Sequence, residues 1–541
     1  MRHFCLLCFL FLSMIASAAG TDNQRTSHLY ILGGELSNSA ATSIDDIDEV
    51  MPRMKSLGLN TVLVPAYWDL TEPTEGNYDF SLVDRVIDRA RDNQLQVVFL
   101  WFGVWKNSMS CYAPAWFKQD TKKYPRAMTR SGKPLEIASA FYEEVFQADC
   151  RAFTKLMEHL AAKDKGIGTV SMIQIENEIG MLEDARDHSP LAEKAFRQQV
   201  PDRLLKAMKL KKRGTWEQVF GNDDYADEQF MAWHYACYVE RLAQVARRIY
   251  DLPLYVNAAM NSRGRRPGEY PSAGPLAHLS VIWKCGAPSV DLLAPDIYDT
   301  GFKAWAAQYA MPDNPLFIPE SRCCANSGVR ALYVFGEYHA LGFSPFAIDQ
   351  APDSETQPLT EAYRLLRQLK PYLRNSGKTW GILFDQEDKE RTIEDGQLVL
   401  NCRHNFTLPW DPRANDGSTW PEGGAVIVKM QPDEYLIAGN GVVVDFKTKT
   451  EKQQDEQKRL GEDGFVLADK QSLNGTPSSS QPATKFQGKR CGILSVDQVS
   501  IHPDGKLQYI RRDNGDQDHQ GRHARIGVGE YKILHVKLYY Y

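Results

Sequence analysis

Eight short apolar runs, separated by segments of helical periodicity, fill residues 28–373 and restrict the fold more than any other feature of the chain. The runs are His28–Leu36, Thr61–Tyr67, Gln96–Gly103, Val170–Glu178, Leu254–Met260, Asp291–Tyr298, Leu316–Glu320 and Phe343–Ile348. Their length suits strands. Between them, Ser81–Asn93 shows the helical pattern well: Leu82, Val83, Val86, Ile87 and Ala90 recur at helical spacing. Glu143–Leu160, Glu228–Ile249, Val329–Leu341 and Leu359–Leu373 are further helical segments. Strands alternating with helices predict an α/β fold with a parallel sheet. A doubly wound open sheet is the alternative. The count of eight, and the lack of dinucleotide spacing in Ile31-Leu32-Gly33-Gly34-Glu35-Leu36, favour a (β/α)₈ TIM barrel.

After Lys378 the pattern changes to short β-like runs punctuated by turn residues, such as Trp380–Phe384, Gln397–Leu400, Ala425–Lys429, Glu434–Ala438, Gly441–Phe446, Gly492–Val499 and Tyr531–Tyr540. This predicts a smaller all-β, sandwich-like domain. Lys447–Lys489 is polar and reads as containing a long loop. The expected organisation is a signal peptide over 1–19, a barrel over 24–376 and a C-terminal β domain over 377–541.

The N-terminal reading rests on Arg2 and His3, an apolar run from Phe4 to Ile15, then Ala16-Ser17-Ala18-Ala19-Gly20. That is the layout of a cleaved secretory signal, and the apolar run is short for a membrane span. The chain is expected to be periplasmic or secreted, without membrane insertion after cleavage. The net charge of −6 and the absence of a basic stripe argue against a nucleic-acid partner. Eight cysteines follow the signal, scattered and without metal spacing.

Two of the apolar runs end in a carboxylate. Ile173-Gln174-Ile175-Glu176-Asn177-Glu178-Ile179-Gly180 closes the fourth, and Pro315-Leu316-Phe317-Ile318-Pro319-Glu320-Ser321 closes the seventh. Carboxylates at the C-terminal ends of barrel strands are catalytic candidates. On strands four and seven they face each other across the barrel mouth, as glycoside hydrolysis requires. A retaining enzyme holds its pair roughly 5–5.5 Å apart and an inverting one wider, which sequence spacing does not separate. Strict alternation would turn Asn177 away from Glu178, so both reach one site only if the strand end leaves the regular pleat, as at a bulge. Glu176 reads as a hydrogen-bonded structural carboxylate deeper on the face of Glu178.

The Asn-Glu at strand four and the Glu at strand seven resemble the large clan of retaining barrel glycosidases. More narrowly, IQIENEIG resembles the strand-four motif of glycoside hydrolase family 35, the β-galactosidases. Leu57–Val62, Glu72–Phe80 and Ala113–Trp116 resemble other stretches of that family. LGGELSNSAA, FGVWKNSMSCYAPAW and Pro432–Gly439 are similar to a bacterial subgroup with its own C-terminal β domain.

The resemblance implies Glu178 as acid/base, Glu320 as nucleophile and Asn177 on the sugar 2-hydroxyl. It also implies Tyr298 beside the nucleophile. Trp105, Lys106 and Asn107 stand where the family more often has a Cys-Ala-Glu stretch that reads galactose hydroxyls, with Asn107 in place of the glutamate. Glu35 and Asn38 either replace those contacts or cap a strand-to-helix turn. Trp68 is either a sugar platform or core. No metal and no organic cofactor is expected. The partner is an oligosaccharide, such as a galactosylated hemicellulose fragment of the xyloglucan type.

Overall fold

The computed structural model describes residues 25–261, 263–374, 378–458 and 485–541. The expected signal peptide lies outside them, as does most of the expected Lys447–Lys489 loop. The described residues form two compact units. One runs up to Cys324 and includes Ala340–Thr356; the other comprises Ala325–His339 and Gln357–Tyr541. The division expected at 376/377 assigned helices Ser327–Tyr338 and Asp353–Arg374 to the barrel. In the structure the first, and the second from Gln357 onward, group with the second unit. The reason shows at Gly336 and Gly381. A Cβ on Gly381 would lie 2.2 Å from the Tyr333 carbonyl, so this helix backbone sits directly on the sheet.

The first unit is a parallel barrel with helices between its strands. Its strands are β1 (Ile31–Glu35), β2 (Thr61–Tyr67), β3 (Gln96–Lys106), β4 (Val170–Asn177), β5 (Leu254–Ala259) and β6 (Leu292–Ile297). β7 comes in two halves, Phe317–Ile318 and Glu320–Ser321, and β8 is Gly342–Phe343. The halves of β7 flank Pro319, whose missing N–H interrupts the ladder. Phe317–Ile318 pairs with β8, Glu320–Ser321 pairs with β6, and β8 pairs with β1. The sheet therefore comes round on itself through a proline-split strand.

Two strands differ from expectation. β3 runs on to Lys106, and its register against β4 shifts between Trp101 and Lys106 so that Lys106 pairs with Asn177. β8 is much shorter than the expected Phe343–Ile348. Pro345 has no N–H and Ala347 takes φ +52°, so regular pleating stops at Phe343. The segment still bonds the barrel: Pro345 O accepts from Glu35 N at 2.9 Å, and Phe346 N donates to Ser321 O at 2.9 Å.

The helices bury the faces that their periodicity implies. In Ser81–Asp92 these are Val83, Val86, Ile87 and Ala90. The longest helix, Asp224–Ile249, starts at Asp223, whose side chain caps Ala226 N.

In the second unit one sheet has six strands and another four. Residues of both, including Ile382, Ile427 and Val536 from the first and Leu400, Val444 and Ile526 from the second, meet in one core. Leu507–Arg512 gave no signal in the sequence because this edge strand is exposed along nearly its whole length and carries no alternation.

Candidate active site

Six barrel strands send polar side chains to one point at their C-terminal ends. They are β1 (Glu35), β3 (Lys106), β4 (Asn177, then Glu178), β5 (Asn257), β6 (Asp296, then Tyr298) and β7 (Glu320). The backbone of β4 explains how neighbouring Asn177 and Glu178 both reach it. Glu176 takes φ +58° and Glu178 φ +45°, the left-handed region that side chains with a Cβ rarely occupy. Each such residue stores about 1–3 kcal/mol of strain, held by its surroundings. Here Asn257 Oδ1 accepts from Glu178 N at 3.0 Å, and the Asn177 and Glu178 carbonyls each accept a backbone N–H at 3.2 Å, from Asn107 and Ser108.

The broken pleat also moves Glu176. It does not share the face of Glu178, as alternation implied. Its Oε2 accepts from Trp105 N at 2.7 Å, and burial and then the neighbouring Asp149 carboxyl raise its pKa; Trp101 Nε1 and Tyr238 Oη donate to Asp149 at 2.8 and 2.7 Å. Glu176 is thus structural. Gly103 leaves it room: a Cβ there would meet Glu176 Oε1 at 2.8 Å and Asp149 Oδ1 at 2.9 Å.

Glu320 is buried and accepts three hydrogen bonds. Asn177 Nδ2 and Asn257 Nδ2 both donate to Oε1 at 3.1 Å, and Tyr298 Oη donates to Oε2 at 2.7 Å. Lys106 Nζ donates to Asn177 Oδ1 at 2.8 Å, which turns the amide so that its N–H₂ end faces Glu320. Asn257 Nδ2 also donates to Asp296 Oδ2 at 2.8 Å. One oxygen each from Glu178, Asp296 and Glu320 lie within 4.8 Å of one another. These three are the group among the described residues that could offer a cation convergent oxygens.

Burial raises the pKa of Glu178 to about 7, reinforced by the charge of Glu320 and partly offset by Lys106 and by a hydrogen bond to Asp296. Burial, then Glu320, lifts the pKa values of Glu35 and Asp296 well above their ordinary values. Burial works against the Lys106 ammonium, but the fields of Glu320, Glu178, Glu35 and Asp296 outweigh it and raise its pKa. The site can therefore hold one proton-bearing carboxyl beside one hydrogen-bonded carboxylate near neutral pH.

The remaining expected residues divide. Both Glu35 oxygens are buried without a hydrogen-bond partner, and Ser43 caps the helix that follows, Ile44–Ser56, so Glu35 is not a turn cap. Asn38 Oδ1 is likewise buried and unpartnered. Asn107 is exposed beside the end of β4. Trp105 is fully buried, and its ring packs edge-on against Tyr235 and Tyr238 of helix Asp224–Ile249. Trp68 is core, bonded to Glu72 and packed on Trp101 and Phe117. Asn257 and Asp296 were missed. Their signal was a lone polar residue inside the apolar runs Leu254–Ala259 and Leu292–Ile297.

A barrel with two such glutamates on β4 and β7 defines a candidate glycoside hydrolase. Residues 40–228 match the model of a family described as beta-galactosidase, Glyco_hydro_42. That stretch includes Asn177 and Glu178 and stops short of Glu320. It points to a glycoside hydrolase of the barrel clan, by way of a β-galactosidase family other than family 35. Residues 359–525 match a domain of unknown function, DUF5597.

Similar solved structures include a β-galactosidase from the Antarctic haloarchaeon Halorubrum lacusprofundi, at 16% identity, 62% of this chain, 58% of that one and TM-score 0.43. Another is a β-galactosidase from the psychrophilic Marinomonas ef1, at 13% identity, 64% and 62% coverage and TM-score 0.47. A third is the catalytic domain of a β-amylase from Paenibacillus polymyxa, at 10% identity, 61% and 96% coverage and TM-score 0.45. The chain spans about three fifths of the length of the first two. No curated protein matches the chain.

Proposed function

We propose that the protein is an exported, retaining exo-β-galactosidase that removes terminal β-galactosyl units from oligosaccharides by double displacement. The observation that carries this reading is the pair Glu178 and Glu320, with carboxyl oxygens within 4.8 Å of each other and only one of them taking three donors. Such closeness suits a nucleophile and an acid/base, and leaves little room for the water that an inverting site places between its carboxyls.

In the first step Glu320 attacks the anomeric carbon as Glu178 passes its proton to the departing oxygen. The C–O bond breaks toward the leaving group and a glycosyl ester forms on Glu320. Neutralising Glu320 removes the charge that helps to keep Glu178 protonated. Glu178 then accepts a proton from water, whose oxygen displaces Glu320. Tyr298 and Asn177 hold the nucleophile, and Asn177 also stands where it can meet the sugar 2-hydroxyl. Glu35, with two unpartnered oxygens, is placed to accept from further hydroxyls of the glycone. No step draws on a metal or an organic cofactor.

Family-35 membership is supported by IQIENEIG and the barrel motifs, and export by the Phe4–Gly20 pattern. A periplasmic or secreted enzyme of this kind fits galactose-capped hemicellulose fragments. The test is a panel of nitrophenyl glycosides followed by xyloglucan fragments and lactose. The β-galactoside is expected to be cleaved fastest and xyloglucan fragments faster than lactose. Preference for a β-glucoside or an arabinoside would move the protein to another specificity in the same clan. No cleavage of any glycoside would leave a glycan-binding barrel.

A further inference from the structure

The two-carboxylate mechanism leaves Asp296 without a task, although it is buried in the same cluster. Its Oδ2 accepts from Asn257 Nδ2 at 2.8 Å, and that nitrogen's other contact, at 3.1 Å, is Glu320. Its Oδ1 is buried and no donor points at it. Within 4.8 Å stand carboxyl oxygens of Glu178 and Glu320. With Glu178 protonated, Asp296 and Glu320 would still be two buried carboxylates meeting at the one donor Asn257 Nδ2, and their mutual repulsion favours a second proton in the site.

We propose that Asp296 is a positioning residue of the site: a neutral acid whose O–H donates to Glu178 and steadies the carboxylate that Glu178 becomes after protonating the leaving group. This rests on the acid/base reading of Glu178. The surroundings favour the neutral form. Facing Asp296 are Glu35 on β1, Glu178 on β4, Tyr255 and Asn257 on β5, Tyr309 on helix Phe302–Tyr309, and Glu320 on β7. Tyr298 follows on its own strand, and the Lys106 ammonium on β3 donates to Asn177 rather than to Asp296. Burial and then the charges of Glu320, Glu178 and Glu35 raise the pKa of Asp296 well above its ordinary value and so disfavour its ionised form.

The proton count closes. At rest Glu178 and Asp296 carry protons and Glu320 does not. Glycosylation moves the Glu178 proton to the leaving oxygen, and the new carboxylate accepts from Asp296. Deglycosylation returns a proton from water to Glu178. Asp296 keeps its own throughout.

Asp296→Asn replaces O–H by N–H without changing charge. Its kcat/KM–pH profile should keep the basic limb within about 0.3 unit of wild type, whereas Asp296→Ala, lacking the donor, should raise that limb by roughly one unit and lower kcat by about tenfold. A basic limb that falls by about one unit in Asp296→Asn would mean that a negative charge had been removed, and would overturn the proposal. So would an unmoved limb in Asp296→Ala.

Infrared spectroscopy tests the same point without any substrate, and so separates this idea from the glycosidase reading. At pH 8 the intact protein should show a protonated-carboxyl band that Asp296→Asn lacks. If that variant does not fold, wild-type protein labelled with ¹³C in its aspartate carboxyls should show the band displaced. A spectrum without any aspartic-acid band at pH 8 would sink the proposal.

Discussion

Replacing Glu320 with glycine is expected to lower kcat on a nitrophenyl β-galactoside by roughly 10⁴-fold or more, because the covalent route closes. The change also leaves Asn177 Nδ2, Asn257 Nδ2 and Tyr298 Oη pointing into the vacated space. Azide is small and anionic, and those donors suit it. Added azide should restore turnover and yield the α-galactosyl azide, since it attacks from the side of the lost carboxylate while Glu178 still supplies a proton. Undiminished activity would remove Glu320 from the nucleophile's role. Rescue giving the β-azide would place the attacking group on the opposite face.

The second large effect concerns Glu178. Glu178→Gln should lose about 10³-fold on substrates with poor leaving groups, which need protonation. With dinitrophenyl galactoside the first step should survive, and slow hydrolysis of the ester should appear as a burst. In wild type, kcat/KM should fall as pH rises through about 7, as Glu178 gives up its proton, and the variant should lose this limb. Stability follows with a definite sign. The folded-state pKa is raised above the ordinary 4.5, so the native state binds more protons than the unfolded chain between pH 4.5 and about 7. Wild-type stability attributable to this group is present below pH 4.5 and is lost as pH climbs to about 7, a loss on the order of 3 kcal/mol. Between pH 5 and pH 8, denaturant unfolding should show a loss larger by about that amount in wild type than in Glu178→Gln, which keeps the shares of Glu35 and Asp296. An equal pH dependence in both would mean that Glu178 titrates normally.

The barrel was legible because its strands are apolar runs bounded by turns, and Thr61–Tyr67 was bounded as found. The two glutamates were legible because a carboxylate at the end of a buried strand is conspicuous. The rest of the site was not, for physical reasons. Periodicity assumes a regular pleat, and the positive φ angles of Glu176 and Glu178 break it, which sends Glu176 toward Asp149 and both Asn177 and Glu178 inward. The same assumption hid the extension of β3 that carries Lys106 to Asn177. Trp68 could be a sugar platform by position, but its ring bonds Glu72 and packs on Trp101 and Phe117 in the core. Asn257 and Asp296 matter through what they touch across the barrel, and a single strand does not reveal those contacts.

The most direct test of the central claim follows the anomeric proton by NMR during the first minutes of β-galactoside hydrolysis. Nucleophilic attack by Glu320 followed by water delivered by Glu178 inverts the centre twice, so β-galactose should appear first and mutarotate afterwards. Initial release of α-galactose would mean a single displacement, and would contradict the assignment of Glu320 as nucleophile.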